Sequence, residues 1–197
     1  MANKQVHQKV VNSLMRDIFA NKLQPGVKLP PERELSKAMD VDRTSLRVAL
    51  KQLESMNLLD IRPGDGIYVM DFLKHAGIDF LRLLFSQDDE ASAELISDKY
   101  VIDEVWEWWA AIFPEMVKLA ARRLSARDLK AMGELFDREM EAINDRQLIV
   151  ELEIAEQDLI AQVANNMIML LISNSSRPMR RKIVEIFINS IEKEALI

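Results

Sequence analysis

The chain contains no cysteine, which removes disulfides, a thiol nucleophile and a thiolate zinc site. Its two histidines, His7 and His75, are too few for a three-histidine metal site and offer no His-based catalytic triad. They read as isolated surface or linker residues. Only five glycines occur in 197 residues, and none builds a phosphate-cradling loop. No amino-terminal apolar signal segment and no apolar run long enough for a membrane span is present, so a cytoplasmic protein without membrane contact is expected. These gaps leave no enzyme chemistry to assign and imply no cofactor.

What is present is charge, unevenly spread. The total is 26 Lys plus Arg against 32 Asp plus Glu, net −6. Residues 1–70 hold 11 against 8, net +3, and residues 71–197 hold 15 against 24, net −9. An acidic total argues against nucleic acid only when it is uniform, because a single basic domain suffices to approach phosphates. The length accommodates two domains, each with its own core.

Residues 30–69 carry the densest signals. Asp42 stands where a helix N-cap belongs, with a carboxylate able to accept first-turn N–H groups at the positive end of the helix. Leu46, Ala49, Leu50, Leu53 and Met56 then recur at helical spacing and predict a buried stripe. Arg43, Arg47 and Lys51, each four residues apart, stack three cations on a strip away from it. Alone, such a strip is usually a solvated helix face. Its neighbours point elsewhere. Upstream, Pro30 and Pro31 suit a helix start, Glu32 and Glu34 its first turn, and Leu35, Ala38 and Met39 form a short apolar stripe. Two helices joined at Asp40 and Val41 make a helix-turn-helix. Downstream, Leu59 to Ile61 and Ile67 to Val69 flank Arg62-Pro63-Gly64-Asp65-Gly66, which predicts a hairpin whose tip reaches a groove or phosphate. Val6, Val10, Val11, Leu14, Ile18 and Phe19 predict an amphipathic first helix packed beneath.

Through Pro25-Gly26 to Leu29-Pro30, Glu32-Arg33-Glu34-Leu35, Arg43-Thr44-Ser45-Leu46-Arg47 and Arg62-Pro63-Gly64-Asp65-Gly66, residues 5–70 resemble the winged helix-turn-helix of the GntR family of bacterial regulators. The resemblance implies that Arg33, Arg43, Thr44, Ser45 and Arg47 contact double-stranded operator DNA and that Gly64 approaches the minor groove. Lys51 joins them on the cation strip and Arg62 on the wing. Arginines suit guanine O6 and N7, whereas the hydroxyls of Thr44 and Ser45 suit phosphates. Asp42 departs from the neutral or small residue common at its place, and as an acid near phosphate it bears on binding strength or base choice. One short helix reads too few bases to select an operator, so a homodimer on a two-fold site is expected.

Met70 to Ala76 lacks periodicity and predicts a linker, giving a DNA-binding domain over 1–72 and an effector-sensing and dimerisation domain over 73–197. Residues 78–86, 91–113, 115–124, 126–143, 146–164 and 166–196 show helical periodicity, with interruptions at Pro114 and around Asn174 to Pro178. The expected fold is mostly α: an N-terminal winged helix-turn-helix domain with a small β wing, then a C-terminal all-α antiparallel helical bundle. This order, with Leu119-Ala120-Ala121 and Ala164-Asn165, resembles the FadR branch, whose bundle encloses an effector cavity. Many members of that branch bind a metal through an Asp, a His one turn later and two further His. Aligned on Ala164-Asn165, Glu153 and Gln157 take the first two places. Glu153 retains a ligating carboxylate, Gln157 replaces imidazole poorly, and no metal is expected.

Along residues 101–113, Ile102, Val105, Trp106, Trp109 and Phe113 share a broad face that Trp108 and Ile112 widen, which predicts a helix at the bundle centre. Aromatic stripes of this kind are first of all core. The sharper expectation is that Trp106, Trp109 and Phe113, with Glu153 and Gln157, wall a lipophilic effector cavity, as the resemblance to acyl-CoA-binding members implies. Arg177 and the cluster Arg180-Arg181-Lys182 read as a solvated basic patch or, at the start of the last helix, as partners of an anionic headgroup. The expected function is a ligand-responsive repressor with an acyl-CoA or other lipophilic anion as effector. The alternatives are a regulator responding to a small carboxylate, and a helical interaction module without a ligand. Relatives continue for roughly two more helices, so the apolar Ala195-Leu196-Ile197 reads as an interruption.

Overall fold

A computed structural model describes residues 2–86 and 99–191. Its contacts divide the chain into two units, Met1–Leu95 and Ile96–Ile197.

In the first unit α1 (Ala2–Phe19) buries Val10, Val11, Leu14 and Ile18 of the stripe its spacing predicts, and Met15 besides, and packs against α3. It ends at Asn21, whose φ of 55° suits asparagine. Helix α2 (Glu32–Ala38) follows Pro31, and a turn through Asp40, φ 50°, leads into α3 (Arg43–Ser55). Leu46, Ala49, Leu50 and Leu53 are buried on α3. Strands β1 (Leu59–Arg62) and β2 (Gly66–Val69) pair antiparallel, with Leu59 opposite Val69 and Arg62 opposite Gly66. Gly64 occupies the hairpin turn at φ 78°, the left-handed region glycine enters without strain. The segment 26–29 lies along β2: Gly26 N donates to the Val69 carbonyl and Leu29 N to that of Ile67, each at 2.8 Å.

The unit extends beyond the boundary at residue 72 read from the sequence. Met70 to Ala76 is not all linker, because Phe72–His75 forms a short helix, α4, followed by α5 (Ile78–Phe85). The rings of Phe19, Phe72 and Phe80 meet at 5.5 to 6.0 Å and tie α4 and α5 to the end of α1. Three aromatics this far apart in sequence show no period, so the contact was not legible there.

The second unit consists, among its described residues, of α6 (Lys99–Ala121), α7 (Ala126–Glu141), α8 (Arg146–Val163) and α9 (Met167–Ser190). Short turns reverse the chain between them. Each of the last three starts on a side-chain cap: Ser125, in a reciprocal capping box with Asp128, then Asp145 and Asn166. Met116, Ala120, Ile160, Ala161 and Ala164 form one core cluster; Val150, Ile154, Val184 and Ile188 form another.

Three expectations are corrected. Helix α6 runs through Pro114 and α9 through Pro178 without a break. A proline leaves the carbonyl four residues earlier without its N–H donor, here at Ala110 and Asn174, and both residues are exposed, so water can take it. The central helix is α8, which packs on α6, α7 and α9, whereas α6 keeps Trp106 and Ile112 more than a third exposed. Tryptophans bring more apolar surface than one flanking position covers. The expected helix start at 91 and end at 196, and Ala195 to Ile197, lie outside the described residues.

Candidate functional site

The first surface is the outer face of α2, α3 and the hairpin. Asp42 caps α3 as expected: Ser45 N donates to its Oδ1 at 2.9 Å and Ser45 Oγ to its Oδ2 at 2.6 Å. These bonds hold the Asp42 carboxyl below its ordinary range. They also correct the reading of Ser45, which is 2% exposed with its hydroxyl spent on Asp42, so no phosphate reaches it. The charge of Asp42 is directed into the cap.

Arg33, Arg43, Thr44, Arg47 and Lys51 are exposed, as are Arg62 and Gly64 on the hairpin. Arg47 Nε lies 2.7 Å from Glu32 Oε2, Lys51 Nζ 2.6 Å from Glu54, and Arg62 Nε 2.7 Å from Asp60. These are surface pairs of small net worth, which phosphate can replace. Among the described residues no ion pair holds Arg33 or Arg43. Sequence reasoning missed two members. Val48 is 49% exposed on α3, one turn past Thr44, and presents an apolar group beside the cations. Lys28 donates to Asp65 at 3.1 Å and lies 5.4 Å from the Tyr68 ring centre, while the Arg62 guanidinium stacks on the same ring at 4.3 Å. The bond from Lys28, and then that from Tyr68, holds the Asp65 carboxyl low. Val48 was visible as an apolar residue off the stripe; Lys28 gave no signal, since the pairing of segment 26–29 with β2 is tertiary.

The second surface is a cavity of about 160 Å³ between α6, α8 and α9. Trp106 and Trp109 line it with Glu153 and Gln157, as the sequence suggested, and it adds Trp108, Arg180 and Phe187. Phe113 does not: it stacks on Trp109 at 4.5 Å and belongs to the core. Arg177 does not line it either; that side chain is exposed and reaches Asp158 at 3.2 Å. The basic cluster sits midway along α9, away from its N-terminus. Arg180, 3% exposed, is the cation that faces inward. Its Nη1 donates to Gln157 Oε1 at 2.7 Å, and its Nη2 to Asp158 Oδ1 at 2.7 Å and to the Ser173 carbonyl at 3.0 Å. The Trp109 ring centre lies 5.5 Å from its guanidinium carbon. Helical phase held a signal, because Arg180 falls on one α9 stripe with Ser173, Ser176, Ile183 and Phe187. A second, apolar cavity of about 330 Å³ lies beyond Trp108 and Trp109, lined by Ile112, Met116, Met169 and Ser173.

Gln157 donates to Glu153 Oε1 at 2.9 Å, so its amide is held between a cation and a carboxylate. A metal in that place does not fit, because Gln157 offers its NH₂ group to Glu153 and its oxygen to Arg180. Behind Glu153, carboxylate oxygens of Glu139, Glu153 and Glu156 lie within 4.8 Å of one another. Burial, and then the charges of Glu156 and Glu153, push the Glu139 carboxyl up to about 7. Burial and Glu153 raise Glu156 as well. Among the described residues no helix is long and apolar enough to cross a membrane.

Residues 6–69 match the family described as bacterial regulatory proteins, gntR family. The chain is 36% identical over 124 residues to the HTH-type transcriptional regulator Mce2R of Mycobacterium tuberculosis, covering 62% of this chain and 49% of that one. It is 26% identical over 183 residues to the fatty acid metabolism regulator protein of Shewanella pealeana, covering 93% and 72%. A solved structure of Listeria monocytogenes Lar, 16% identical, covers 96% of this chain and 75% of that one at a TM-score of 0.49. The chain spans about half the length of its mycobacterial relatives.

Proposed function

Residues 6–69 are a winged helix-turn-helix domain of the GntR family, and from that premise we propose that the chain is a sequence-specific, ligand-responsive transcriptional regulator, acting in the cytoplasm as a repressor. The observation that carries the DNA reading is the exposed set of Arg33 on α2 with Arg43, Thr44 and Arg47 on α3, a helix whose opposite face is core. Arg43 and Arg47 read base edges, Thr44 and Lys51 hold phosphates, Val48 adds an apolar contact, and Arg62 and Gly64 bring the wing to the adjacent groove. The helical unit takes an effector with an apolar body and an anionic end in the cavity beside Trp106 and Trp109. An acyl-CoA is one member of that class, and kinship with the fatty acid metabolism regulator supports it. Titration of the full chain onto its own promoter fragment across a salt series tests the DNA reading. The affinity is expected to fall steeply with salt and to exceed that for unrelated duplex; equal, salt-insensitive binding to both would overturn it.

The chain also pairs with a second copy. On α7, Leu129, Phe136 and Met140 recur at helical spacing and are 59 to 61% exposed, a stripe suited to a matching face.

A further inference from the structure

We propose that Val48 is a specificity-determining residue of the DNA-binding face, and that it recognises the 5-methyl group of a thymine in the major groove. The inference rests on reading α3 as the recognition helix. At about 100° per residue, Val48 stands about 160° around α3 from each of the buried Leu46 and Leu50, so it points away from the core. Thr44 and Lys51, exposed as well, stand about 40° and about 60° from it, on the side of Arg47. The two cationic side chains beside it are engaged elsewhere, Arg47 with Glu32 on α2 at 2.7 Å and Lys51 with Glu54 at 2.6 Å. Val48 is left 49% exposed in the middle of the outward face.

An exposed valine gives the free chain nothing, because a β-branched residue is a poorer helix former than alanine and its methyl groups stay in water. On DNA the balance reverses. Of the groups that base edges present in the major groove, the thymine methyl is the apolar one, and the others are hydrogen-bond donors or acceptors. A valine over those strips their water and returns no hydrogen bond, whereas over the thymine methyl it buries apolar surface on both partners. Neighbouring Cα atoms lie about 3.8 Å apart and successive nucleotides about 3.4 Å, so the thymine stands beside the base pair that Arg47 reads.

The test uses the full chain and its own promoter fragment in two forms, one with thymine and one with uracil at every thymine position, which differ only in the 5-methyl groups. Dissociation constants are compared by fluorescence anisotropy at one salt concentration. The uracil form is expected to bind about fourfold more weakly for each methyl that is buried, and about fifteenfold when two copies each bury one. Val48→Ser, which has no methyl and a helix propensity close to that of valine, is expected to bring the ratio below about two, with Val48→Ala in between. Neither variant removes a core contact, so both fold, and the Val48→Ala ratio decides if Val48→Ser binds too weakly to measure. A wild-type ratio near unity, or variants that keep the wild-type ratio, overturns the assignment and leaves DNA binding standing. Binding to the promoter no tighter than to unrelated duplex overturns the recognition-helix reading and this inference with it.

Discussion

Ser45 and Arg43 are two residues apart on one helix turn and do opposite work. The Ser45 hydroxyl is sealed against Asp42, so Ser45→Ala is expected to cost about 1 kcal/mol of stability, seen as a lower melting temperature, with DNA affinity changing only through the loosened cap. Arg43→Ala and Arg47→Ala remove exposed cations and no core contact. Each is expected to weaken promoter binding by about 1 to 3 kcal/mol while the circular dichroism spectrum and melting temperature stay the same. Unchanged binding in both variants would remove α3 from the interface. Glu32 pairs with Arg47, the cation the proposed reading gives to DNA, and phosphate would repel its carboxylate. Glu32→Gln is therefore expected to raise affinity at low salt, with the gain vanishing near 1 M salt, where the Debye length is about 3 Å.

At the level of elements, the bundle holds its helix ends with arginines from distant positions. Arg146, at the start of α8, donates to the carbonyls of Ile188 and Asn189 at 2.9 and 3.2 Å and of Ile191 at 2.6 Å, closing the C-terminal end of α9. Arg123 donates to the Ala164 and Asn165 carbonyls at the end of α8. Arg146→Ala leaves those carbonyls to water and is expected to cost about 1 to 3 kcal/mol in denaturant unfolding. The seam between α7 and α8 responds to pH through Glu139. Its folded pKa, about 7, lies above the ordinary 4.5, so the native state holds the proton more tightly than the unfolded chain. That contribution is complete below about pH 4.5 and is lost as pH rises through 7, beyond which the curve levels. Thermal unfolding is expected to show Glu139→Gln flattening the decline between pH 5 and 8, and an unchanged slope would place the titration elsewhere.

For the whole molecule, the charge is divided by task. On the proposed reading, the net +3 of residues 1–70 favours approach to phosphate and the net −9 beyond them disfavours it. A single recognition helix covers about one half-site, so two copies are expected on one promoter, with half-sites about one helical turn or a multiple of it apart. Sedimentation of the full chain with saturating DNA checks this; one copy per duplex excludes it. Leu129→Glu with Phe136→Glu on the exposed α7 stripe is expected to lower the dimer fraction while the chain stays folded, because neither side chain is core.

The sequence by itself determined the elements whose causes are local. Asp42 caps α3 whatever lies around it, the stripe from Leu46 to Leu53 follows from a period of 3.6, and Gly64 meets the φ its turn requires. Those signals span a few residues each and survive in any tertiary setting, which is why the winged helix-turn-helix was legible almost residue by residue. Tertiary structure alone decided which polar groups face inward. Ser45 and Arg180 stand in runs that read as contact surface, yet packing buries both, and only the arrangement of α6, α8 and α9 makes Arg180 the floor of a cavity and leaves Arg177 outside. Pro114 and Pro178 read as helix ends because the local penalty is real; the helices continue because the freed carbonyls belong to exposed residues, where water meets the need. Burial is a property of neighbours far apart in the chain, and no short window of sequence contains them.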